Sequence, residues 1–233
     1  MNKLNMPERI IECVRNENNN PEFIDLITTR LSNVLEYANI PLRYIIDSID
    51  INNSSSKLST QLDRFLNIID CNESCLVVTN SFAYSGYIAA YIFEQYVYSK
   101  LITDEHIKSI LYIDTNLLVE DYKKLITKSQ NNSLNPRLHY DVDLLYNKMM
   151  DADFIFWDKF NYITTDYSFT KLYEVLSSRF QNCLGNCFFA SGSSMGKVLE
   201  GIDIEFLNTM NCNDNVFDFQ RENYNLRKWE NNG

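Results

Sequence analysis

The sequence predicts an α/β fold in which helices cover both faces of a parallel sheet, with a short helical extension at the N-terminus. Between residues 75 and 191, four short apolar runs alternate with longer segments whose apolar residues recur at helical spacing. Each run ends in polar residues and is too short for a helix. Parallel strands covered on both faces are continuous apolar runs, so the alternation predicts a parallel sheet.

The first 38 residues predict a helical hairpin, because two stretches with apolar residues at helical spacing flank the polar run NENNNPE. The segment ANIPLRYIIDSID follows, and the Ser- and Asn-rich stretch NNSSSK then predicts a linker. We therefore divide the chain into an N-terminal helical extension with its linker, residues 1–55, and an α/β domain, residues 56–233.

The α/β domain opens with a predicted helix in STQLDRFLNIID. The predicted strands are CLVV, SILYID, DFIFWD and NCFFAS. The helices that follow them are predicted over residues 85–98 and in NLLVEDYKKLI, FTKLYEVLSSRF and MGKVLEGI.

Composition limits the classes of function. The chain has 233 residues, and its 21 Lys and Arg against 31 Asp and Glu give a net charge of −10. This excludes a generally basic nucleic-acid-binding surface, although a local basic groove remains compatible. No stretch approaches the ~20 apolar residues that cross a bilayer, and MNKLNMPERI lacks the apolar core of a secretion signal. We predict a cytoplasmic protein without membrane contact.

Six cysteines are predicted to be free thiols, as expected in a reducing compartment. Cys71 with Cys75 and Cys183 with Cys187 are pairs with three intervening residues, so a four-thiolate zinc site is the alternative. Cys187 begins the apolar run CFFA, which favours a buried thiol, and we predict no metal site.

The loop after the first strand, TNSFAYSGYIAA, lies where open parallel sheets bind ligands. A phosphate-binding loop needs glycines, a lysine for the phosphates and a hydroxyl for magnesium. At the positions of the glycine, the lysine and the hydroxyl, this sequence has Tyr84, Ser85 and Gly86, respectively. The donors that remain are the backbone amides of the helix and the hydroxyls of Ser81 and Ser85.

The third strand ends in Asp158 and Lys159. A carboxylate at the tip of an apolar strand suits the magnesium shell of a nucleoside triphosphatase, and a second acid beside it would activate water. Asp158 meets the first requirement. Lys159 fails the second, because an ammonium with a pKa near ~10 is not a base at neutral pH.

Several segments of the sequence, taken in chain order, resemble those of the replicative-helicase loaders DnaC and DnaI and of the insertion-sequence ATPase IstB, all of the AAA+ superfamily. ANIPLRYIIDSID is similar to the Ile-Pro and Arg-Tyr motif that precedes the core, and CLVVTNSFAYSGYIAAYI to the phosphate loop and its helix. SILYIDTNLLVEDYKKL, DADFIFWDKF and LYEVLSSRFQNCLGNCFFASGSSMGKVL are similar to the second strand, the magnesium strand and the sensor region. The resemblance covers residues 38–228 and implies an AAA+/P-loop-like sheet.

The sequence departs from the family pattern at the working positions. The phosphate-loop lysine falls on Ser85, the magnesium threonine on Gly86, the catalytic acid on Lys159 and the sensor asparagine on Gly192. FLNTMN holds no arginine where one would reach a neighbouring subunit's nucleotide, and loss of such an arginine costs ~10³ or more in rate. The resemblance thus implies a pseudo-ATPase with no intact cofactor site. The residues left at its nucleotide positions are Thr79, Ser81, Ser85, Gly86, Asp158 and Arg227.

The function implied by the resemblance is that of a replication accessory protein, encoded by a phage or another mobile element. It would bind the hexameric replicative helicase, assemble on it as a homo-oligomer and deliver it to single-stranded DNA without efficient ATP hydrolysis. Two alternatives stay open. One is an active loader in which Ser81, Ser85 and Asp158 hold ATP and Mg²⁺, and the other is a non-catalytic inhibitor of the helicase.

Two surfaces are candidates for these contacts. The amphipathic segment FIDLITTRLSNVLEY would present Phe23, Leu26, Ile27 and Leu31 to the helicase, although its pattern equally suits an ordinary core helix. DNA contact needs basic residues with aromatic stacking partners, and solvated helix faces are the alternative. The DNA candidates are Lys123, Lys124, Arg179 and Lys228, with Lys128, Tyr122, Arg221, Arg227 and Trp229 nearby.

Overall fold

The computed structural model describes residues 4–50, 57–130, 136–160, 166–191, 215–219 and 225–227. None of the helices in these ranges is long and apolar enough to cross a membrane. The elements are, in chain order, α1 (Met6–Glu17), α2 (Pro21–Ala38), α3 (Leu42–Ile46), β1 (Ser48–Asp50), α4 (Lys57–Cys71), β2 (Ser74–Thr79), α5 (Phe82–Ile102), β3 (Ile110–Asp114), α6 (Thr115–Gln130), α7 (Pro136–Asp151), β4 (Phe154–Asp158), α8 (Asp166–Gln181), β5 (Gly185–Ser191), β6 (Val216–Phe219) and β7 (Asn225–Arg227).

The N-terminal hairpin forms as predicted, and its helices are capped by local sequence. Asn5 and Glu8 form a reciprocal capping box at the start of α1. The side chain of Asn20 accepts a hydrogen bond at the start of α2, where Pro21 fits because the first helical turn needs no donor there. Asn39 ends α2 with a left-handed φ of 55°, a conformation that asparagine tolerates well.

The main sheet is parallel, as predicted, with strand order β3-β4-β5-β2-β6. The four predicted strands are its β2, β3, β4 and β5, and β6 adds an edge that the apolar runs did not indicate. A separate antiparallel pair joins β1 to β7, with Ser48 opposite Arg227. The helix predicted in MGKVLEGI lies outside the described residues.

Helices cover both faces of the sheet, which confirms the predicted layers. Successive strand residues point to opposite faces. In β4, for example, Phe154 and Phe156 join one buried cluster with α1, α4 and α5, whereas Ile155 and Trp157 join another with α6, α7 and α8. Both clusters are buried, and the strands β2 to β5 between them are buried along nearly their whole length, whereas β6 at the edge alternates between exposed and buried residues.

The N-terminal helices share the first of these clusters with the α/β domain. Met6, Ile10 and Ile27 are at most 1% exposed and belong to the same core as Phe93 of α5. Arg9 reinforces the contact, because its guanidinium donates to both carboxylate oxygens of Glu94 at 2.8 and 2.6 Å. The division of the chain at residue 55 remains a prediction. The described residues on both sides of it contribute to one hydrophobic core.

Arg179 lies in the interior and holds the amino-terminal end of the sheet together. Its side chain is fully buried and donates to the carbonyl oxygens of Met149, Ala152 and Gly185, each at 2.7 Å, and to Asn186 Oδ1 at 2.9 Å. Burial lowers the pKa of its guanidinium to about 10, so it remains charged at neutral pH. The expected DNA contact by Arg179 is therefore not supported, because a buried group cannot reach a nucleic acid.

Replacing Arg179 with methionine should lower the free energy of unfolding by about 3 kcal/mol or more, because several buried oxygen acceptors lose their donor. Urea denaturation of the full chain measures this change. Arg15→Met, at an exposed position of α1, is the matched control and should shift stability by less than about 0.5 kcal/mol. Equal midpoints for the two variants would contradict the structural role.

Candidate functional site

The predicted strand–loop–helix unit is present, with β2 leading directly into α5. Thr79 Oγ1 lies 3.1 Å from the carbonyl oxygen of Ser81 and 3.5 Å from that of Ala190. Ser81 is the N-cap of α5, and its side-chain oxygen accepts a hydrogen bond from the amide of Ala83 at 3.1 Å. These two hydroxyls therefore shape the turn itself.

Asp158 ends β4 and is fully buried. Although β5 separates β4 from β2 in the sheet, the hydroxyl of Ser85 on α5 reaches Asp158 Oδ1 and donates to it. Tyr112 of β3 donates to Oδ2, and the amide of Lys159 donates to Oδ1 at 2.9 Å. Both carboxylate oxygens thus have partners within the protein.

The environment of Asp158 penalises its charge. Burial raises the pKa of the Asp158 carboxyl above its usual 3.8, and the hydrogen bonds from Ser85 and Tyr112 oppose the rise only in part. The same burial, with the nearby Asp158 charge, raises the pKa of Tyr112. Tyr112 therefore keeps its proton and acts as a donor.

Lys159 carries its charge to a different partner. It has a left-handed φ of 57°, and of the five non-glycine residues with positive φ in the described chain it alone follows a strand. Its ammonium forms an ion pair with Asp114 Oδ2 at the tip of β3. The other oxygen of Asp114 caps α6 by accepting from the amides of Asn116 and Leu117. The ion pair between Lys159 and Asp114 thus links the ends of β4 and β3.

Tyr44 of α3 covers the beginning of α5. It is 2% exposed, and a Cβ placed on Gly86 would lie only 2.1 Å from its Cζ and 2.4 Å from its hydroxyl. The hydroxyl accepts a hydrogen bond from Arg43 at 2.5 Å and is also hydrogen-bonded to Tyr112. Tyr44, Tyr112, Asp158 and Ser85 thus form one connected set, which we call the tyrosine–aspartate network.

These side chains do not fit Mg²⁺-ATP in the manner the resemblance implies. That complex needs an ammonium at the phosphates, a hydroxyl and a carboxylate for the metal, and room at the helix N-terminus. Ser85 donates its hydroxyl to Asp158, and Gly86 offers no side chain and is covered by Tyr44. The Lys159 ammonium is bound to Asp114. The network occupies the groups that the ligand would use.

The remaining nucleotide and DNA candidates are less completely placed. Gly192 and Lys228, like Arg221 and Trp229, lie outside the described residues. Arg227 is placed by its backbone in β7. On α6, Lys123 and Lys124 are exposed, and Lys124 pairs with Asp121 at 2.8 Å. Tyr122 is 7% exposed, so it packs in the core and offers no stacking surface beside these lysines.

The four helicase-docking candidates on α2 separate into two groups. Ile27 and Leu31 are at most 1% exposed and Phe23 packs against the same core, so these three serve the fold. Leu26 is 53% exposed. The amphipathic pattern therefore marked the inward face of α2, and only Leu26 of the four projects outward.

The two cysteine pairs are split between interior and surface. Cys75 and Cys187 are buried directly opposite one another in β2 and β5, whereas Cys71 and Cys183 are exposed. Within the described ranges, no group of three His, Cys, Asp or Glu side chains is arranged to hold a metal ion.

Sequence reasoning missed Tyr44, Tyr112 and Asp114 as members of the site. Tyr112 lies within an apolar strand and has the pattern of an ordinary core residue. Asp114 is the last residue of that strand, directly opposite Asp158, and this position at the strand end was the available signal. Tyr44 sits in a segment distant along the chain, and nothing in its spacing indicates contact with Gly86.

Asp158→Asn should become more stable relative to the wild type as pH rises from about 4 towards 7. Because the folded-state pKa of Asp158 is raised, the stability contributed by its protonated form is present below about 4 and lost as pH rises through the folded value. The asparagine variant has no such loss. Urea denaturation across this pH range measures the difference, with Asp63→Asn, at an exposed site on α4, as control. If Asp158→Asn instead lost stability relative to the wild type as pH rises, the raised pKa of Asp158 would be contradicted.

No protein-family model matches the sequence, and no curated protein is significantly similar to it. Solved structures share its fold. A crystal structure of DnaI matches with a TM-score of 0.54 and 11% identity, covering 78% of this chain and 95% of that one. A crystal structure of the DnaC helicase loader matches with a TM-score of 0.50 and 10% identity, covering 79% of this chain and 99% of that one.

AMPPCP-bound DnaA from Aquifex aeolicus also aligns, with a TM-score of 0.49 and 6% identity over 73% of this chain. The chain spans about half of that structure, 48% of its length. Of these three structures, the two with a TM-score of at least 0.50 are thus DnaI and the DnaC helicase loader. The chain has an AAA+/P-loop-like fold, a parallel five-stranded sheet flanked by helices, as in the DnaI and DnaC structures.

Proposed function

We propose that this protein takes part in DNA replication as a loader of the replicative helicase, and that it works without ATP hydrolysis. Two facts support the role: the fold is that of DnaI and of a DnaC helicase loader, and the alignment covers nearly the whole of both structures. The observation that carries the second part of the proposal is the direct hydrogen bond from Ser85 to the buried Asp158.

Loading without hydrolysis is physically sufficient if the loader binds the open helicase ring more tightly than the closed ring. A ligand shifts a two-state equilibrium by its differential affinity for the two states, and about 5.5 kcal/mol moves a population from 1:99 to 99:1. Interface contacts supply energies of that size. Release then follows when single-stranded DNA or another partner displaces the loader.

The helicase contact is proposed to include the exposed face of α2. Leu26 is the exposed apolar residue there, and two exposed acidic residues, Glu22 and Asp25, lie within the helical turn before it. A helicase surface that combines an apolar pocket with basic residues would be complementary. Lys123 and Lys124 on α6, with Lys228, remain proposed contacts to single-stranded DNA, and assembly of several copies on the ring remains a proposal.

The loading reaction tests the proposed function directly. The replicative helicase of the natural host is mixed with this protein and circular single-stranded DNA coated with single-strand-binding protein. The amount of helicase retained on the DNA is then measured after gel filtration. We expect this protein to increase retention severalfold, and equally with ATP and with a non-hydrolysable ATP analogue, because the proposed loading uses binding energy alone.

Two outcomes would contradict this proposal in different ways. Retention that needs hydrolysable ATP and is lost in Ser85→Ala would indicate an active loader. Binding of the helicase without any gain on DNA would indicate the inhibitor instead. Helicase without this protein, at the same concentrations, sets the baseline.

Leu26→Asp should weaken helicase binding by about tenfold or more, because it places a charge in an apolar contact. It should leave the unfolding midpoint nearly unchanged, since Leu26 is 53% exposed. Leu117→Asp, at a 58% exposed leucine on α6, is the matched control and should bind the helicase normally. Equal affinities for both variants, measured by surface plasmon resonance, would remove α2 from the proposed interface.

A further inference from the structure

We propose that Tyr44 is an internal ligand of the site: its phenol group fills the space beside Gly86 and fastens the N-terminal helices to the sheet. This inference concerns the chain itself and does not depend on the replication role. It predicts that the site opens only when α3 withdraws, so the position of the N-terminal helices controls access to Ser85 and Asp158.

The steric argument rests on Gly86. A Cβ at this position would lie 2.1, 2.3 and 2.4 Å from three atoms of Tyr44, far inside an ordinary carbon contact of about 3.5 to 4 Å. Any side chain at position 86 would therefore have to expel the ring. Because Gly86 has no side chain, the Tyr44 ring can occupy this space.

The polar argument rests on the partners of the phenol group. The hydroxyl has hydrogen bonds with Arg43 and Tyr112, and the Arg43 guanidinium also lies 4.4 Å from the ring centroid. The ring meets Tyr87 edge-on at 4.7 Å between centroids. The hydroxyl of Tyr44 thus has hydrogen-bond partners, and its ring has an aromatic neighbour and a cation beside it. A specific binding site for a phenol has the same arrangement.

The connection to the N-terminal helices follows from chain order. Tyr44 lies in α3, directly after the α1–α2 hairpin and just before β1, which pairs with β7. Asn39, at the end of α2, donates to the carbonyl oxygen of Tyr112 at 3.4 Å. Asn39 and Tyr44 therefore both contact Tyr112 of β3, and movement of α2 away from this edge strand would carry Tyr44 out of the site.

Chemical rescue tests the internal-ligand role. Tyr44→Ala removes a phenol group, so phenol added at millimolar concentration should raise the thermal unfolding midpoint of this variant as its concentration increases. Benzene, which lacks the hydroxyl, should raise it less. In the control Phe65→Ala, which empties an apolar site against Phe217, benzene should act at least as well as phenol. A midpoint for Tyr44→Ala that phenol raises no more than that of the wild type would overturn the proposal.

A second measurement covers the case in which Tyr44→Ala does not fold. Gly86→Ala keeps Tyr44 but should force it out, and hydrogen exchange of α3 amides should then accelerate about tenfold or more relative to the rest of the chain. Gly185→Ala is the matched control, because its Cβ would lie 2.3 Å from another buried aromatic ring, that of Phe154. Equal exchange in α3 for these two variants would also overturn the proposal.

Discussion

The burial of the Asp158 carboxylate is the constraint on which the site depends. A buried charge is costly unless hydrogen bonds compensate it, so Asp158 draws in donors from three elements: Ser85 from α5, Tyr112 from β3 and the backbone that follows β4. These bonds tie α5 to β3 and to the end of β4. Through them, both oxygens of the Asp158 carboxylate have hydrogen-bond donors within the protein.

At two positions where the resemblance implies catalytic or metal-binding side chains, the protein has groups that make contacts within the protein itself. An ammonium from Lys159 neutralises Asp114 at the strand tips, in place of an acid that would activate water. The ring of Tyr44 covers Gly86, in place of a side chain that would bind a metal. In both cases the contacts are made within the protein and need no bound nucleotide. This supports the proposal that loading uses binding energy alone.

The interaction surfaces were harder to predict than the fold, for a physical reason. Amphipathic spacing reports that one face of a helix is buried, and it does not report what buries it. On α2 the apolar face packs on the protein's own core through Ile27 and Leu31, which leaves Leu26 outside. Arg179 shows the same limit for charge: as a basic residue it was a candidate for DNA contact, but its guanidinium satisfies backbone carbonyls in the interior.

The sequence by itself determined the strands β2 to β5, the helices α5, α6 and α8 and the parallel sheet, because runs such as FIFWD can be buried only when helices cover both faces. It also located the loop before α5 and the carboxylate at the tip of β4. Tertiary structure alone decided which side chains meet there. Tyr112 contacts Asp158 from 46 positions away in the numbering, and Tyr44, 114 positions away, joins Asp158 through Tyr112. Local spacing carries no information about contacts over such separations.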